Sequence, residues 1–311
     1  MKDGKRAVTR SDLELVFPKQ SDHAHKGTMG RVLLVCGSYD ERGTAMCGAA
    51  YLSAMAAYRT GAGIVELFIP MENYAPLATL VPEAVFSLYD RRENFSEILS
   101  RLERSMRGAN AVVIGCGLGK SALSRQLLRA VLEKADVPLL IDADGLNLLS
   151  EEAELWELPC EEQRRRTAIT PHPGEMFRIS PWDAKDICAD PLGAAREISR
   201  ARGVTCLLKL HETLTVSRAG VYENHTGNPG MATGGMGDIL AGVIGALLAR
   251  LADRHDLTDA EYDELFLRLV AVGAHIHGAA GDLAARELGE YGMTARDVLS
   301  KIPAAIVGCF G

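Results

Sequence analysis

The segment from residue 226 to residue 249 contains a glycine-rich loop that leads into an apolar helix, and Asp238 is the ionisable residue at their junction. Gly234, Gly235 and Gly237 leave the backbone N–H groups open to an anion because they lack a Cβ atom, and a helix N-terminus adds partial positive charge. Such a loop is typical of a phosphoryl-transfer site in which Asp238 is the base toward a hydroxyl group. The alternative is a flexible loop followed by a helix whose N-cap is Asp238. This segment alone leaves both interpretations open.

A second glycine-rich turn spans residues 115–121 and reads Gly-Cys-Gly-Leu-Gly-Lys-Ser. It is not a P-loop, because that motif has four residues between its first glycine and Gly-Lys-Ser, and here there are three. It also differs from the Gly-x-Gly-x-x-Gly pattern of dinucleotide-binding folds. We interpret it as a turn whose backbone passes close to a ligand, with a plain tight turn as the alternative.

Charged and polar side chains follow three further predicted strands. Asp142 and Asp144 stand two residues apart, which on an extended segment places both on one face. They could hold Mg²⁺ through water, or cap the helix that follows; capping is favoured for Asp144, and Asp142 stays open. His172 lies between two prolines that restrict its backbone, and we expect it to face a ligand, not only solvent as a loop histidine would. Lys209 ends an apolar strand, so its ammonium group would lie near bound phosphates, although a solvated lysine is the alternative.

Apolar runs alternate with helical patterns at the spacing of βα units, which predicts an α/β fold around a mainly parallel sheet. The predicted strands cover residues 32–36, 63–69, 84–88, 111–115, 138–141, 167–170 and 205–209, with a hairpin over 213–217 and 221–224. The predicted helices cover residues 44–60, 121–135, 191–202, 238–251 and 261–287. No linker or repeat divides the sequence, so we predict one domain over residues 1–311. Ligands bind outside the carboxyl ends of the strands in such sheets, so the loops above should meet there.

Composition narrows the class of protein. A net charge of −7 without a basic stripe argues against a nucleic-acid partner. Seven cysteines, the last of them Cys309, are widely spaced without any Cys-x-x-Cys, which argues against a disulfide framework or a zinc site and favours the cytoplasm. The longest apolar run, 239–249, is too short to cross a bilayer, and we expect no export signal. His275 and His277 point in different directions on a predicted helix, so we interpret both as packing residues.

Taken together, these segments resemble the NAD(P)H-hydrate dehydratase family of the ribokinase-like superfamily. The matching segments occur in the family's order: residues 25–38, 48–50, 59–63, 115–119, 142–147, 170–175 and 227–238. Each segment is short, but the combination is specific. The resemblance implies a three-layer α/β fold with a central, mainly parallel sheet flanked by helices.

The resemblance also implies a reaction. The S epimer of hydrated NADH or NADPH is phosphorylated on its ring hydroxyl by ADP, or by ATP, with Mg²⁺, and phosphate then leaves to restore the reduced dinucleotide, with AMP as the other product when ADP is the donor. Such chemistry requires positioning, charge neutralisation and one base. A small-molecule kinase of the same superfamily, such as a hydroxyethylthiazole kinase, is the alternative, and a nucleotide-binding sensor without turnover is a third. The 170–175 and 226–238 segments favour the dehydratase.

Site residues carry over by matching position. Asp238 matches the family's base and also a contact to the hydrated dinucleotide, and the three glycines before it match an anion hole. Gly237 also corresponds to a nucleotide contact. Ala50, Gly117 and His172 correspond to contacts with the hydrated dinucleotide.

The nucleotide-binding segment departs from the family pattern, which is usually Lys-Gly-x-x-Thr. Here the segment comprises Lys209, Leu210, His211, Glu212 and Thr213. A leucine replaces the glycine, and Glu212 adds a negative charge near the expected phosphates. The choice between ADP and ATP is therefore left open.

The resemblance suggests further partners. About 25 residues precede the first matching segment, so residues 1–24 are expected to be an N-terminal extension with no epimerase domain, and a separate epimerase would act upstream. The family suggests a homo-tetramer.

Overall fold

A ten-stranded sheet forms the middle layer of the computed structural model, which describes residues 4–251, 254 and 256–308. Cys309 lies outside these residues. The strands are β1 (Lys5–Arg6), β2 (Arg31–Val35), β3 (Ile64–Pro70), β4 (Val85–Tyr89), β5 (Ala111–Ile114), β6 (Leu139–Ile141), β7 (Thr167–Ile169), β8 (Thr205–Leu208), β9 (Leu214–Ser217) and β10 (Gly220–Glu223).

Helices cover both faces of this sheet. They are α1 (Arg10–Val16), α2 (Cys47–Thr60), α3 (Tyr74–Leu80), α4 (Phe95–Arg107), α5 (Ala122–Lys134), α6 (Asp144–Glu151), α7 (Glu161–Arg165), α8 (Pro173–Ile179), α9 (Ala184–Ala189), α10 (Pro191–Arg202), α11 (Met236–Leu248), α12 (Asp259–Leu288) and α13 (Ala295–Gly308). None of the helices in the described ranges is long and apolar enough to cross a membrane.

The strand order is β1-β10-β9-β8-β7-β6-β5-β2-β3-β4. Seven neighbouring strands, from β8 to β4 in this order, run parallel, whereas β9 is antiparallel to both of its neighbours. Parallel strands end at the same edge of a sheet, so the loops after β5, β6, β7 and β8 are neighbours. The predicted α/β class and the mainly parallel sheet are confirmed.

The sheet separates two apolar cores, because successive strand residues point to opposite faces. Val32 and Leu34 of β2 pack with α2, α11, α12 and α13, whereas Leu33 and Val35 pack with α4, α5, α6 and α10. Helices α2 and α11 approach so closely that a Cβ atom on Gly242 would lie 2.1 Å from the carbonyl oxygen of Ser53. This packing fixes the N-terminus of α11 at the sheet edge, where its first turn meets the loops after the strands.

All nine predicted strands are confirmed, with bounds that differ by at most one residue. The five predicted helices are also confirmed, with bounds that differ by at most three residues. Strand β1 and eight helices were not predicted. Most of these helices have five to eight residues, too few for a clear periodic pattern, and depend on capping and tertiary packing. Helix α13 contains Pro303, a residue that argues against a helix. Helix α4 could have been predicted from the sequence, because its buried Ile98, Leu102 and Met106 have helical spacing.

Candidate active site

Asp142 lies at the centre of the carboxyl edge of the sheet. It follows β6 and is 2% exposed. Its Oδ1 atom accepts hydrogen bonds from Lys209 Nζ at 2.8 Å and from Thr170 Oγ1 at 2.8 Å. Thr170 follows β7 and Lys209 follows β8, so three adjacent strands each contribute one side chain. The predicted meeting of these loops at one edge is confirmed.

Lys209 is enclosed by carboxylates. Its Nζ atom lies 3.6 Å from Glu175 Oε2 as well as 2.8 Å from Asp142, and its side chain is 21% exposed. Burial alone would lower the pKa of Lys209, but the two carboxylates outweigh that effect and raise the pKa above its ordinary value. Lys209 is therefore a fixed cation at the edge of the sheet, and the alternative of a solvated strand-end lysine is wrong.

Asp238 lies in the first turn of α11. The N-cap is Gly235, whose φ of 93° lies in the left-handed region that glycine adopts readily, and the helix begins at Met236. The interpretation of Asp238 as the N-cap is therefore wrong. A Cβ atom on Gly237 would lie 3.4 Å from Asp142 Oδ2 and 3.7 Å from Lys209 Nζ, so the α11 backbone adjoins this ion pair. The first N–H groups of a helix have no intrahelical acceptor. In α11 these N–H groups lie beside the Asp142–Lys209 ion pair.

The electrostatics of Asp238 fit a base. Burial and the nearby negative charge of Asp142 raise the pKa of Asp238 to about 6, while the thiol of Cys116 and the charge of Lys209 oppose the rise. Such a carboxylate is a stronger base than an ordinary one and is still mostly ionised at pH 7. A raised pKa from burial plus one specific charge is a feature of catalytic groups.

Cys116 is a buried neighbour of both aspartates. Its Sγ atom lies 3.9 Å from Asp142 Oδ2, and burial together with Asp142 and Asp238 raises the pKa of the thiol well above its ordinary value. The thiol is therefore protonated and serves as a weak donor. Sequence reasoning missed this role, as it missed those of Thr170 and Glu175, although all three lie in segments that carry the family resemblance.

His172 is the N-cap of α8. Its Nδ1 atom accepts hydrogen bonds from the backbone N–H groups of Gly174 and Glu175 at 3.0 and 3.3 Å, and Glu175 Oε2 accepts one from the N–H of His172 at 2.8 Å. Burial lowers the pKa of His172, against the opposing effect of Glu175, so the ring is neutral at pH 7. Nδ1 is occupied by the helix, and Nε2 lies 3.4 Å from Glu175 Oε1. The predicted contact with the hydrated dinucleotide stays a prediction.

Asp144 does not cap α6. It is the first residue of the helix, Ala143 is the N-cap without a side-chain hydrogen bond, and Asp144 Oδ2 accepts from the N–H of Gly119 at 2.8 Å. Ala143 has φ 49° and ψ −116°, so the segment is not extended. The prediction of capping by Asp144 is wrong for this reason, and Asp142 and Asp144 bind different partners.

The glycine-rich turn packs tightly against the protein itself. A Cβ atom on Gly115 would lie 1.9 Å from the carbonyl oxygen of Asp142, and one on Gly117 would lie 2.8 Å from Ala49 Cβ. Packing is therefore sufficient to explain these two glycines. Ala50, on α2, is 0% exposed. Contacts of Gly117 and Ala50 with a ligand stay predictions.

The glycines before Asp238 differ in surroundings. Gly234 is exposed, and a Cβ atom there would have no neighbour within 4 Å, whereas one on Gly235 would lie 2.5 Å from Leu52 Cδ1. Gly237 alone of the three adjoins the Asp142–Lys209 pair. The predicted anion hole is therefore best supported at Gly237 and stays a prediction at Gly234 and Gly235.

A cavity of about 620 Å³ opens beside these residues. Its walls come from the loop after β8, the loop before α11, and the facing sides of α11 and α12. The lining residues are His172, Lys209, Leu210, His211, Thr213, Asn224, Thr226, Gly227, Asn228, Pro229, Met231, Ala232, Met236, Gly237, Leu240, Ala274, His277 and Gly278. Apolar walls with a few polar groups are typical of small-molecule sites.

The predicted nucleotide-binding segment contributes four residues to this cavity: Lys209, Leu210, His211 and Thr213. Thr213 Oγ1 donates to the carbonyl oxygen of Leu210 at 3.0 Å, which closes the loop without the family's glycine. Glu212 is exposed and lies 3.7 Å from His225 Nδ1, outside the cavity lining. The added negative charge is therefore directed away from the cavity, and a nucleotide contact by Glu212 stays a prediction.

Two further cavities, of about 650 and 870 Å³, are larger. They lie at the amino ends of β6, β7 and β8 and are lined by several arginines, including Arg165. Neither contains a residue predicted for the site.

Comparisons with known proteins show the family of this chain. The model of the NAD(P)H-hydrate dehydratase family matches residues 32–304. The ADP-dependent (S)-NAD(P)H-hydrate dehydratase of Neisseria meningitidis is 34% identical over 274 residues, which are 86% of this chain and 81% of that protein. The bifunctional NAD(P)H-hydrate repair enzyme Nnr of Coxiella burnetii is 36% identical over 91% of this chain and 51% of its own length. The chain thus spans about half the length of such bifunctional relatives.

Solved structures show the same fold. A ribokinase-like superfamily protein of Enterococcus faecalis superposes with a TM-score of 0.82 at 26% identity, over 99% of this chain and 98% of the other. The ADP/ATP-dependent NAD(P)H-hydrate dehydratase of Bacillus subtilis, co-crystallised with ATP and Mg²⁺, superposes with a TM-score of 0.75 at 23% identity, over 98% and 99%. The ribokinase-like fold with its flanking helices is therefore confirmed. Because the family model covers nearly the whole sequence, the chain belongs to the NAD(P)H-hydrate dehydratase family.

Proposed function

We propose that this chain dehydrates the S epimer of hydrated NADH or NADPH with ADP as the phosphoryl donor, and so acts as a hydro-lyase of cofactor repair. The observation that carries the proposal is the position of Asp238, whose raised pKa and place at the start of α11 put a base beside Lys209 and the 620 Å³ cavity. The N. meningitidis relative is named as ADP-dependent and specific for the S epimer. Family membership and local chemistry support the same reaction.

The nucleotide would occupy the cavity. Lys209 would neutralise phosphate charge, and the N–H of Gly237, with the partial positive charge of α11, would bind the transferred phosphoryl group. Leu210, His211 and Thr213 would contact the rest of the nucleotide. The hydrated nicotinamide ring would then lie between Asp238 and His172, with Gly117 and Ala50 beyond.

Asp238 would accept the proton of the ring hydroxyl group. The oxygen of that hydroxyl group attacks the terminal phosphorus atom of ADP at the same time. The new O–P bond forms as the bond between phosphorus and the bridging oxygen breaks, which releases AMP. The lone pair of the ring nitrogen then expels phosphate, and loss of a proton from the adjacent ring carbon restores the double bond. Phosphorylation makes a poor leaving group into a good one, so the protein contributes mainly position and charge.

Magnesium fits this site only as a partner of the nucleotide. Within residues 4–251, 254 and 256–308 no cluster of three or more His, Cys, Asp or Glu side chains could hold a metal ion. Asp142 Oδ1 is occupied by Lys209 and Thr170, so a contact through water would use Oδ2, which lies 3.9 Å from the Cys116 thiol. Mg²⁺ commonly binds through substrate phosphates and one or two carboxylates. When bound, the ion would neutralise charge on the phosphates.

The remaining partners are proposals of the same kind. An epimerase would convert the R epimer into the S form used here, and several relatives are named as bifunctional repair enzymes. A homo-tetramer in the cytoplasm is the assembly and location that we propose.

The test is to incubate the protein with the S epimer of hydrated NADH, Mg²⁺ and either ADP or ATP, and to follow the return of reduced nicotinamide absorbance. We expect recovery with one AMP formed for each NADH when ADP is supplied. Recovery with neither nucleotide would contradict the dehydratase. Accumulation of a stable phosphorylated product would instead support the small-molecule kinase. The hydroxyethylthiazole kinase of Pyrococcus horikoshii shares the fold of this chain with a TM-score of 0.57.

A further inference from the structure

The loop over residues 226–235 forms one wall of the 620 Å³ cavity and leads into α11. Its residues in the cavity lining are Thr226, Gly227, Asn228, Pro229, Met231 and Ala232. The loop contains a single turn of 3₁₀-helix, at Pro229–Met231, and no strand. A segment with so little regular structure keeps its shape through contacts with neighbouring elements.

Helix α12 provides these contacts along one of its faces. Thr226 Oγ1 donates to the carbonyl oxygen of His275 at 2.9 Å, and a Cβ atom on Gly278 would lie 2.3 Å from Thr226 Oγ1. A Cβ atom on Gly281 would lie 2.2 Å from Met231 Sδ. Residues three or four apart share a face of a helix, so these positions form one surface. Glycine is a poor helix former, and the close approach of the loop accounts for these two glycines within α12.

Asp282 lies on the same face of α12 and binds the loop with both carboxylate oxygens. Oδ2 accepts a hydrogen bond from the N–H of Gly227 at 3.0 Å, and Oδ1 accepts one from Nδ2 of Asn228 at 3.0 Å. Asn228 Oδ1 in turn accepts from the N–H of Gly230 at 3.1 Å. Asp282 therefore fixes two successive residues of the loop and orients the side chain that shapes the next turn. Hydrogen bonds to a carboxylate are stronger than those between neutral groups.

The helix that carries Asp238 is held by other contacts. Ser53 Oγ donates to the carbonyl oxygen of Asp238 at 3.0 Å, and a Cβ atom on Gly242 would lie 2.1 Å from the carbonyl oxygen of Ser53. Helix α2 thus fixes α11 independently of the loop. Loss of the Asp282 contacts would loosen the cavity wall and leave Asp238 in place.

We propose that Asp282 is a positioning residue that holds the 226–235 loop in the shape that binds the donor nucleotide. The inference rests on the proposed function, which places ADP in the 620 Å³ cavity. Asp282 is outside the cavity lining, so it acts through Gly227 and Asn228, which are part of it.

The first experiment is amide hydrogen exchange on the ligand-free protein, followed by mass spectrometry. Asp282→Asn keeps the size of the side chain but replaces one acceptor by a donor, so one of the two hydrogen bonds to the loop is lost. We expect the amides of residues 227–233 to exchange at least about fivefold faster. Residues 239–248 of α11 should exchange at the wild-type rate.

A double variant tests whether these hydrogen bonds are the cause. Asn228→Asp combined with Asp282→Asn exchanges the amide and the carboxylate, so an amide at 282 can donate to residue 228 and still accept from Gly227. The carboxylate at 228 can still accept from Gly230. Loop protection should return to within about twofold of wild type. Unchanged loop exchange in Asp282→Asn, or no recovery in the double variant, would overturn the proposal.

Calorimetric titration with ADP and Mg²⁺ links the loop to the nucleotide. Removal of a negative charge near an anionic ligand would by itself tighten binding, whereas a loosened wall weakens it, so the sign separates the two effects. We expect Asp282→Asn to weaken ADP binding by about three- to tenfold and to raise KM for ADP similarly. Because Asp238 stays in place, kcat should stay within about threefold.

Asp263→Asn is the matched control, because it is the same substitution on the same helix, away from the loop. It should lower stability and leave KM for ADP unchanged. Unchanged or tighter ADP binding in Asp282→Asn would overturn the proposal, and so would an equal rise in KM for ADP in Asp263→Asn. A wild-type protein that binds no ADP would overturn the proposed function and the role of the loop in nucleotide binding, whereas the exchange experiment decides separately whether Asp282 holds the loop.

Discussion

Two clusters of charged side chains lie at opposite edges of the same sheet. At the carboxyl edge, Asp142 and Glu175 surround Lys209, and Asp238 lies close enough for Asp142 to raise its pKa. At the amino edge, Arg165 binds Asp263 at 3.2 Å and Asp259 at 2.7 Å.

The two clusters differ in charge balance. Arg218 also binds Asp263, so two cations meet two carboxylates at the amino edge. At the carboxyl edge Lys209 pairs with Asp142 and Glu175, while burial and the charges of Asp142 and Asp144 raise the pKa of Asp238. A balanced cluster stabilises the structure, whereas an excess of carboxylates raises the pKa of one of them and creates a base. The two clusters therefore allow the proposed catalytic charge and the structural charge to be tested in one molecule.

The largest expected effect comes from Asp238→Asn. Turnover of the hydrated dinucleotide should fall by at least about 10²-fold, because the amide cannot accept the hydroxyl proton. The folded-state pKa of Asp238 is raised above its unfolded value, so the ionised group destabilises the fold above pH 6 and this cost disappears as the pH falls toward 4. The variant should accordingly melt at the same or a higher temperature at pH 7.5. Near wild-type turnover would remove Asp238 from the role of base.

Asp263→Asn is the counterpart at the amino edge. The substitution leaves Arg165, whose side chain is 16% exposed, with a weakened pair, and we expect a loss of about 2 kcal/mol in the free energy of unfolding. Turnover should stay within about twofold of wild type. Urea denaturation and steady-state kinetics on the same preparation measure both effects. A large loss of turnover without a loss of stability would contradict the division between the two edges.

The pH dependence gives a finer test of the carboxylate excess. Because Asp238 must be ionised to act as the base, kcat/KM should be level above about pH 7 and fall about tenfold per unit below the pKa near 6. Lys209 opposes the rise in this pKa, so in Lys209→Met the acid limb should move to higher pH. Asp263→Asn should leave the limb in place. An acid limb near pH 4 in the wild type would show that the group whose ionisation limits turnover is not Asp238 with a pKa raised by burial and Asp142.

Local sequence patterns pointed to several residues of the candidate site. The same patterns could not predict contacts between residues that are far apart in the sequence. The glycines before Asp238 and the strand before Lys209 could be identified from spacing and residue type. The hydrogen bonds of Asp142 to Thr170 and Lys209 join residues 28 and 67 positions apart, so they follow from strand order and not from any local pattern. The prediction that Asp144 caps α6 is wrong because the backbone conformation of Ala143 cannot be read from the residue types around it.

Ala143→Gly should have the smallest effect, and it compares backbone strain at the two edges. Ala143 is the one non-glycine residue with positive φ among those that the structure describes, and it joins Asp142 to α6. Such strain costs about 1–3 kcal/mol, and glycine relieves it at an entropic cost of about 0.5–1 kcal/mol, so the expected net change lies between about zero and a gain of about 2.5 kcal/mol. The control is Ala135→Gly, at the amino end of β6, where φ is −70° and glycine should instead destabilise by about 0.5–1 kcal/mol. Opposite signs in urea denaturation would show that the strain is specific to the carboxyl edge. A loss of stability in both variants would mean that Ala143 is held there without strain.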